Sequence, residues 1–399
     1  MTADIECPVR QICSEPLRKT NMRDGKIIVA RLWPFFSGGS QSRAPVILGI
    51  NPEKYETIII YLTKKSSNPN IFEQKGKKVF YLTENSKLRF FNPFVISKLT
   101  AVLKNQGVDI LHCHMHKATV YGTIAAKFAG TPTIIAHVHG LGRTRNFRRK
   151  LVNRFILSKT AKILTVGEAV RKDVLQNNPF LSPDKVINIG NQIDYDYFAK
   201  GIDKQAARDR FAIPRDSPVF GAAGRLAKNK GQTHLIRAFS GIRKQIPNAR
   251  LLIAGDGELK ETLKMESAAL GCDKYVHFAG RISDMPVFYS AIDLFVQPSI
   301  GSEGLPRVIL EAMAAGVVVI GTDVGGIPEI LNDGQFGCLV PGGDENRLAD
   351  AMIKLAQEDR NQLQILIEKA QKRIKDNFTP AVVIRRLEKI YEDCMIKNA

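Results

Sequence analysis

Residues 299–331 read Ser299-Ile-Gly-Ser-Glu303-Gly-Leu-Pro306-Arg-Val-Ile-Leu-Glu311-Ala-Met-Ala-Ala-Gly316, then Val317-Val-Val-Ile-Gly-Thr-Asp-Val-Gly325-Gly-Ile-Pro-Glu329-Ile-Leu331. A short apolar run at Leu294–Gln297 precedes this segment and a β-branched one, Val317–Gly321, lies inside it, with an Ala- and Leu-rich helical stretch between them. Strand, helix and strand in that order make a parallel crossover unit. Pro306 suits the first position of the helix, where a missing N–H costs nothing. The N–H groups of Gly304 and Leu305 then sit at a helix N-terminus, a place suited to an anion. Glu303 and Glu311 flank the turn, and a helix running through both would separate them by ~12 Å along its axis.

The same alternation runs through the chain. Strands are predicted near Lys26–Leu32, Thr57–Leu62, Lys78–Leu82, Ile110–His112, Thr133–His137, Lys162–Val166 and Val186–Ile189. A second set falls near Val219–Ala223, Arg250–Ala254, Val276–Phe278, Leu294–Gln297, Val317–Gly321 and Cys338–Val340. Helical stretches such as Gln232–Gln245 and Arg347–Gln357 lie between them. The expected fold is α/β, with two doubly wound domains and the division in the turn- and charge-rich stretch 199–217. Residues 1–24 read as an extension, 25–200 as the first domain, 201–379 as the second and 380–399 as a closing helix.

A chain of 399 residues is long enough for two cores, and its formal charge is +19. The excess is lopsided. Up to residue 200 there are 31 Lys and Arg against 14 Asp and Glu, and beyond it 27 against 25. The first half therefore carries +17 and the second +2, which points to an anionic partner for the first: a membrane surface, a phosphorylated glycolipid or nucleic acid. The cysteines at 7, 13, 113, 272, 338 and 394 lack paired metal spacing. Cys7 and Cys13 could bridge, but a reduced cytoplasmic compartment is expected. Residues 1–23 contain no apolar core of a signal peptide, and the apolar run at Ala312–Ile320 is too short to cross a bilayer.

Gly224-Arg225-Leu-Ala-Lys-Asn-Lys230-Gly231 follows one strand and precedes a helix. Arg225 offers a rigid fork and Lys230 a mobile point charge, two complementary ways to hold a diphosphate. Gly255-Asp-Gly257 and Phe278-Ala-Gly-Arg-Ile282 close the next two strands, where glycine permits close backbone approach to a ligand. Together with the Glu303…Glu311 segment, in this order, these loops resemble the signature of family-4 retaining glycosyltransferases. The resemblance covers nearly all of the chain after about residue 25 and is densest from 219 to 345.

The resemblance implies a GT-B arrangement of two Rossmann-like domains facing a cleft, with the last helix crossing back onto the first. It implies transfer of a sugar from a nucleoside diphosphate to an acceptor hydroxyl with retention at the anomeric centre. Arg225 and Lys230 would stabilise the leaving diphosphate, where charge develops. Glu303 would hold the sugar hydroxyls and Glu311 the ribose. Gly224, Gly255, Gly257, Gly304, Leu305 and Pro306 would line the donor, and Ile282 would neighbour the base. Phe36-Ser-Gly38-Gly39-Ser40 resembles the family's Gly-Gly loop near the donor phosphates; it lacks the Lys-x-Gly-Gly of glycogen and starch synthases, which argues against an α-glucan product. Asn191-Gln-Ile-Asp194 resembles the family's Asn-Gly-Val-Asp, with Gln in place of Gly. Glu329, after the Gly325-Gly326 turn, is read as structural. The donor is a substrate, and no cofactor is expected.

Five of the seven histidines fall between residues 112 and 139. His112, His114 and His116 alternate, as do His137 and His139, so each set shares a strand face, the pattern that could hold zinc. Paired cysteines and supporting carboxylates are missing, and no metal is expected. By the resemblance, His139-Gly140 matches the His-Gly pair beside the donor sugar, and His112, His114 and Asn191 would lie on the acceptor side. Arg143, Arg145, Phe147, Arg148, Arg149, Lys150, Arg154 and Phe155 form a basic amphipathic segment, and Lys87-Leu-Arg-Phe-Phe91-Asn-Pro-Phe94 repeats the theme. Such segments suit anionic headgroups with aromatics entering the interface. Arg145, Arg148, Arg149 and Arg154 are the membrane candidates, on the inner face of the cytoplasmic membrane. The expected acceptor is an anionic, lipid-linked glycan such as a lipopolysaccharide core intermediate. The rival readings are a soluble acceptor, a GT-B nucleotide-sugar epimerase, and a nucleic-acid-binding protein; no nucleic-acid module accompanies the basic segments.

Overall fold

The structure is a computed structural model that describes residues 25–396, except 37–41, 64–68, 86–87, 89–90, 143–146 and 302, and at 147 and 148 the backbone only. Two parallel sheets organise it. The first holds β1 (Ile27–Trp33), β2 (Tyr55–Tyr61), β3 (Val79–Tyr81), β4 (Ile110–His114), β5 (Thr133–Val138), β6 (Lys162–Thr165) and β7 (Val186–Asn188), in the order β3-β2-β1-β4-β5-β6-β7. The second holds β8 (Val219–Ala223), β9 (Arg250–Ala254), β10 (Val276–Gly280), β11 (Leu294–Gln297), β12 (Val318–Thr322) and β13 (Cys338–Val340), ordered β10-β9-β8-β11-β12-β13. Every predicted strand is present, with ends displaced by at most two residues.

Both sheets are buried on both faces by crossover helices, so their strands read as continuous Ile/Val/Leu runs rather than alternating ones. In each sheet the strand order reverses, at β1/β4 and at β8/β11, and ligands of such folds gather beyond the strand ends at that reversal. The final helix, Pro380–Ile396, packs Val383, Leu387, Ile390 and Tyr391 against Val29, Tyr55, Ile110 and Leu164 of the first sheet. Glu388 accepts from the Asn51 N–H at 2.8 Å, and Glu392 pairs with Lys54 at 3.0 Å. A chain that leaves the second sheet is thus anchored on the first.

The two halves also meet through side chains. Glu329 Oε2 accepts from the Glu168 N–H at 2.5 Å and Oε1 from Asn188 Nδ2 at 2.9 Å. Glu168 opens the helix Glu168–Asn177, whose N-cap, Gly167, has no side chain to cap it. A carboxylate from the other half supplies that cap, and a Cβ on Gly167 would lie 2.9 Å from Glu329 Oε2.

Candidate functional site

The loops beyond β8, β9 and β11 stack on one another. Gly255 has φ +138, and a Cβ there would sit 1.8 Å from the Gly224 carbonyl oxygen; at Gly257 it would meet Leu226 O at 2.4 Å. Glycine at 255 and 257 is accordingly required by contact between the loops. This packing fixes the course of Gly224–Gly231. Arg225 ends exposed, and Lys230 is partly buried. Ile282 is half-buried against the neighbouring core.

Lys230 Nζ reaches Glu303 Oε1 at 2.5 Å. Ser299 Oγ donates to the same carboxylate oxygen at 2.8 Å, and Gln297 Nε2 donates to Ser299 Oγ at 2.8 Å. Glu303 is buried, and its backbone is held by Gly325 and Gly326. The Gly326 N–H donates to Glu303 O at 3.1 Å, and a Cβ at Gly325 (φ +61) would fall 2.1 Å from that oxygen. The Gly-Gly turn is therefore the support under Glu303.

The helix begins at Arg307, with Pro306 as its extended N-cap (φ −69, ψ 117), one residue later than the sequence reading put Pro306 inside it. Glu303 lies in the loop before it, so the two acids are not eight steps apart on one helix. Leu305 is buried, and Glu311 sits in the second turn with Tyr289 Oη 3.1 Å from Oε2 and Arg307 Nη2 3.8 Å from Oε1. Burial pushes the Glu311 carboxyl above the ordinary carboxylate range, against the pull of Arg307 and Tyr289. Gly304 faces the other half: a Cβ there would lie 2.9 Å from His139 O and 3.3 Å from Gly140 Cα. The structure thus brings the His139-Gly140 loop and the Glu303-Gly304 loop together.

On the first sheet the histidines form two hydrogen-bonded pairs, His112 Nε2 with His137 Nδ1 at 3.2 Å and His114 Nδ1 with His139 Nε2 at 3.1 Å. His114 stacks on Trp33, ring centroids 4.0 Å apart and 1° from parallel. Arg31 Nη1 lies 2.6 Å from His112 Nδ1 and 2.5 Å from the Tyr391 hydroxyl, and Arg43 Nη2 lies 3.0 Å from His139 Nδ1. Burial first, and then the charge of neighbouring arginines and histidines, keeps all four rings well below the usual imidazole range and hence neutral.

These contacts show where the residues assigned to the acceptor side sit. His112 and His114 are fully buried in the ring network. Asn191, placed on the same side, donates to Leu305 O at 3.2 Å and accepts from the Gln192 N–H, which makes it a contact between the halves. His139 stays at the cleft, but both of its ring nitrogens are engaged. Gly38, Gly39 and Arg145 lie outside the described residues, as does the side chain of Arg148; Arg149 and Arg154 are exposed. Arg31, Arg43, Tyr289, Ser299, Arg307 and Tyr391 were missed by the sequence reading. Only Arg31, a lone cation inside an apolar strand, carried a signal there.

His112, His114 and His137 place one nitrogen each within 4.8 Å of one another, close enough to share a metal ion. Their hydrogen bonding opposes it. A guanidinium only donates, so His112 Nδ1 must accept from Arg31, and its proton lies on Nε2, directed at His137 Nδ1. His137 then carries its own proton on Nε2. Likewise Arg43 fixes the proton of His139 on Nε2, which donates to His114 Nδ1 and leaves the His114 proton on Nε2. Lone pairs that a metal would need are already protonated or already accepting.

Two family descriptions match the chain: "Glycosyl transferases group 1" over residues 203–373 and "Glycosyltransferase Family 4" over residues 54–197. The chain is 35% identical over 351 residues to the GDP-mannose-dependent alpha-(1-6)-phosphatidylinositol monomannoside mannosyltransferase of Mycolicibacterium smegmatis, covering 84% of this chain and 90% of that one. It is 28% identical over 349 residues to the Escherichia coli UDP-Gal:alpha-D-GlcNAc-diphosphoundecaprenol alpha-1,3-galactosyltransferase, covering 82% and 89%. The fold is shared with a glycosyltransferase from Rickettsia africae (TM-score 0.79, 22% identity, 94% and 100% of the two chains) and with Anabaena HepE in complex with UDP (TM-score 0.79, 20%, 92% and 100%). Two facing parallel sheets and these relatives make the chain a member of the family-4 glycosyltransferases of GT-B fold, a transferase enzyme.

Proposed function

We propose that the protein is a retaining glycosyltransferase that moves a sugar from a nucleoside diphosphate to a hydroxyl of an anionic, lipid-linked acceptor at the inner face of the cytoplasmic membrane. The observation that carries the reading is the Lys230–Glu303–Ser299 cluster, set beside Glu311 on one half and the His139-Gly140 loop on the other. Arg225 and Lys230 hold the diphosphate, Glu303 the sugar hydroxyls, and Glu311 the ribose. A diphosphate between the two cations competes with Glu303 for Lys230, which releases the carboxylate toward the sugar. The bond from the anomeric carbon to the phosphate oxygen breaks, the acceptor oxygen bonds to the same face, and its proton passes to the leaving diphosphate. Fixed cations act there on charge that grows as the bond breaks. The residues supply binding and electrostatics, and no metal or cofactor is assigned a step.

The relatives named above act, by their names, on phosphatidylinositol-based and diphosphoundecaprenol-linked acceptors, which supports a lipid-linked acceptor here. So does the basic first half. Arg149, Lys150 and Arg154 are exposed beside Leu151 and Phe155, which are 59% and 56% exposed, and Phe91 and Phe94 are exposed at the start of another helix of the first half. Among the described residues no helix is long and apolar enough to cross a membrane, so we assign a surface contact rather than a span. Thermal-shift screening against UDP, GDP and ADP, then transfer of labelled sugar to lipid extract, tests the reading. Sugar epimerisation with no transfer, or transfer that needs no lipid, would replace it.

A further inference from the structure

Three buried polar side chains, Gln297, Ser299 and Glu303, stand in line where β11 runs out into its loop. Glu303 is ion-paired with Lys230, and a carboxylate only accepts. The Ser299 hydroxyl, 2.8 Å from Oε1, must therefore direct its one proton at that carboxylate. Ser299 Oγ is left as an acceptor toward Gln297, whose Nε2 meets it at 2.8 Å. The relay has one direction: amide to hydroxyl to carboxylate. Its backbone is fixed from two sides. Thr322 Oγ1 of β12 donates to Ser299 O at 2.7 Å. A Cβ at Gly231 (φ +70) would fall 1.8 Å from Pro298 O, so the loop that carries Lys230 rests on the residue between Gln297 and Ser299.

Both donors to Glu303, Lys230 Nζ and Ser299 Oγ, fall on Oε1. Oε2 makes no hydrogen bond among the described residues and is not sealed from solvent. A lysine on its flexible stem fixes a charge but not a side-chain orientation, whereas a hydroxyl held in one direction fixes both. A diphosphate that draws Lys230 away leaves Ser299 on Oε1, so the carboxylate keeps its orientation as the sugar arrives. We propose that Gln297 and Ser299 are positioning residues for sugar recognition, which hold Glu303 by Oε1 and leave Oε2 to accept from a hydroxyl of the donor sugar. The inference rests on the assignment of Glu303 to the sugar in the proposed function, and adds which of its oxygens binds and what aims it.

Calorimetric titration of the full chain compares each free nucleoside diphosphate with its sugar conjugate: UDP with UDP-galactose, GDP with GDP-mannose and ADP with ADP-glucose. The pair that wild type binds most tightly is carried through the variants. The readout is the ratio of the two Kd values, conjugate over free diphosphate, in which changes in diphosphate binding cancel. Glu303→Ala should raise that ratio about 10- to 100-fold, the factor for a hydrogen bond to a charged group. Ser299→Ala should raise it about tenfold, because the carboxylate remains but is no longer aimed. Gln297→Met, similar in shape but without the N–H, should raise it about two- to fivefold, since Ser299 can still turn to Glu303 but is not held there. Should Ser299→Ala fail to fold, Gln297→Met carries the test. A role confined to loop stability would weaken both ligands alike and leave the ratio at its wild-type value. That result in Ser299→Ala and Gln297→Met, with a raised ratio in Glu303→Ala, overturns the relay alone. An unchanged ratio in all three variants, or no binding of any pair by wild type, overturns the donor assignment beneath it as well.

Discussion

Lys230 and Glu303, 73 residues apart in the chain, share a 2.5 Å ion pair that joins the loop after β8 to the loop after β11. The carboxylate is the more deeply buried partner, with 8% of its side chain exposed against 21% for the lysine. Among the described residues, removing the lysine therefore leaves the buried charge with Ser299 as its hydrogen-bond partner. Lys230→Ala should cost on the order of 1–3 kcal/mol of stability in urea denaturation. Adding Glu303→Gln to it should restore part of that loss, because the orphaned charge is gone. Additive losses in the double variant would show that the pair contributes nothing.

For turnover, Lys230→Ala and Arg225→Ala should both reduce kcat by about 10²–10³, the typical cost of a lost stabiliser of developing charge. Arg225 is exposed, and its side chain makes no hydrogen bond or ion pair among the described residues, so its variant should keep the wild-type Tm. Near-wild-type kcat in both variants would remove the loop from catalysis.

Glu311 gives a pH-dependent prediction. Its folded pKa is raised above the ordinary value of 4.5, so the folded state holds its proton more tightly than the unfolded chain. The sign follows: its favourable contribution is complete below the ordinary value and is lost as pH rises through the folded value. Wild type should thus lose stability relative to Glu311→Gln as pH climbs from about 4.5 toward neutrality. Glu311→Ala should raise the donor KM by about one to two orders of magnitude, through loss of a charged hydrogen-bond partner of the ribose. Parallel stability curves for wild type and Glu311→Gln, or an unchanged KM, would contradict the placement.

The strands were legible because a sheet buried on both faces demands short continuous apolar runs, and Val219–Ala223, Arg250–Ala254, Leu294–Gln297 and Cys338–Val340 fall where those runs do. The Glu303 and Lys230 loops were legible as motifs, though not their mutual ion pair. What the sequence could not show is partnership at long range. Tyr391 meets Arg31 from 360 residues away, and Glu329 caps a helix 161 residues earlier. The histidines were visible as an alternating pattern, yet their burial depends on Trp33 and the last helix closing over them.

The Glu329 cap predicts a mechanical effect. Glu329→Ala removes the side-chain acceptor of the Glu168 N–H and should cost about 0.5–2 kcal/mol, as for a lost N-cap. It also removes a tie between the halves, so small-angle scattering should show a larger radius of gyration than wild type. Unchanged scattering and an unchanged urea midpoint would mean that the contact is dispensable.

The basic surface gives the last prediction. Each Lys or Arg near an anionic surface contributes ~1 kcal/mol, screened over a Debye length. Replacing Arg145, Arg148, Arg149 and Arg154 with Gln should therefore strongly weaken binding to phosphatidylserine-containing vesicles, and high salt should do the same to wild type. Leu151 and Phe155 are more than half exposed in the same helix, Phe147–Ser158, so Leu151→Ser with Phe155→Ser should weaken binding even at low salt, where charge attraction persists. Buried neighbours such as Ile156 and Leu157 hold that helix to the core, so neither set of changes should alter the fold. Donor affinity, which the proposed function assigns to the other half, should stay intact in both variants. The two perturbations separate the electrostatic from the apolar contribution: salt should abolish the first difference and leave the second. Equal binding of wild type to anionic and neutral vesicles at low salt would end the membrane assignment and return the +17 of the first half to a soluble polyanion or to no partner.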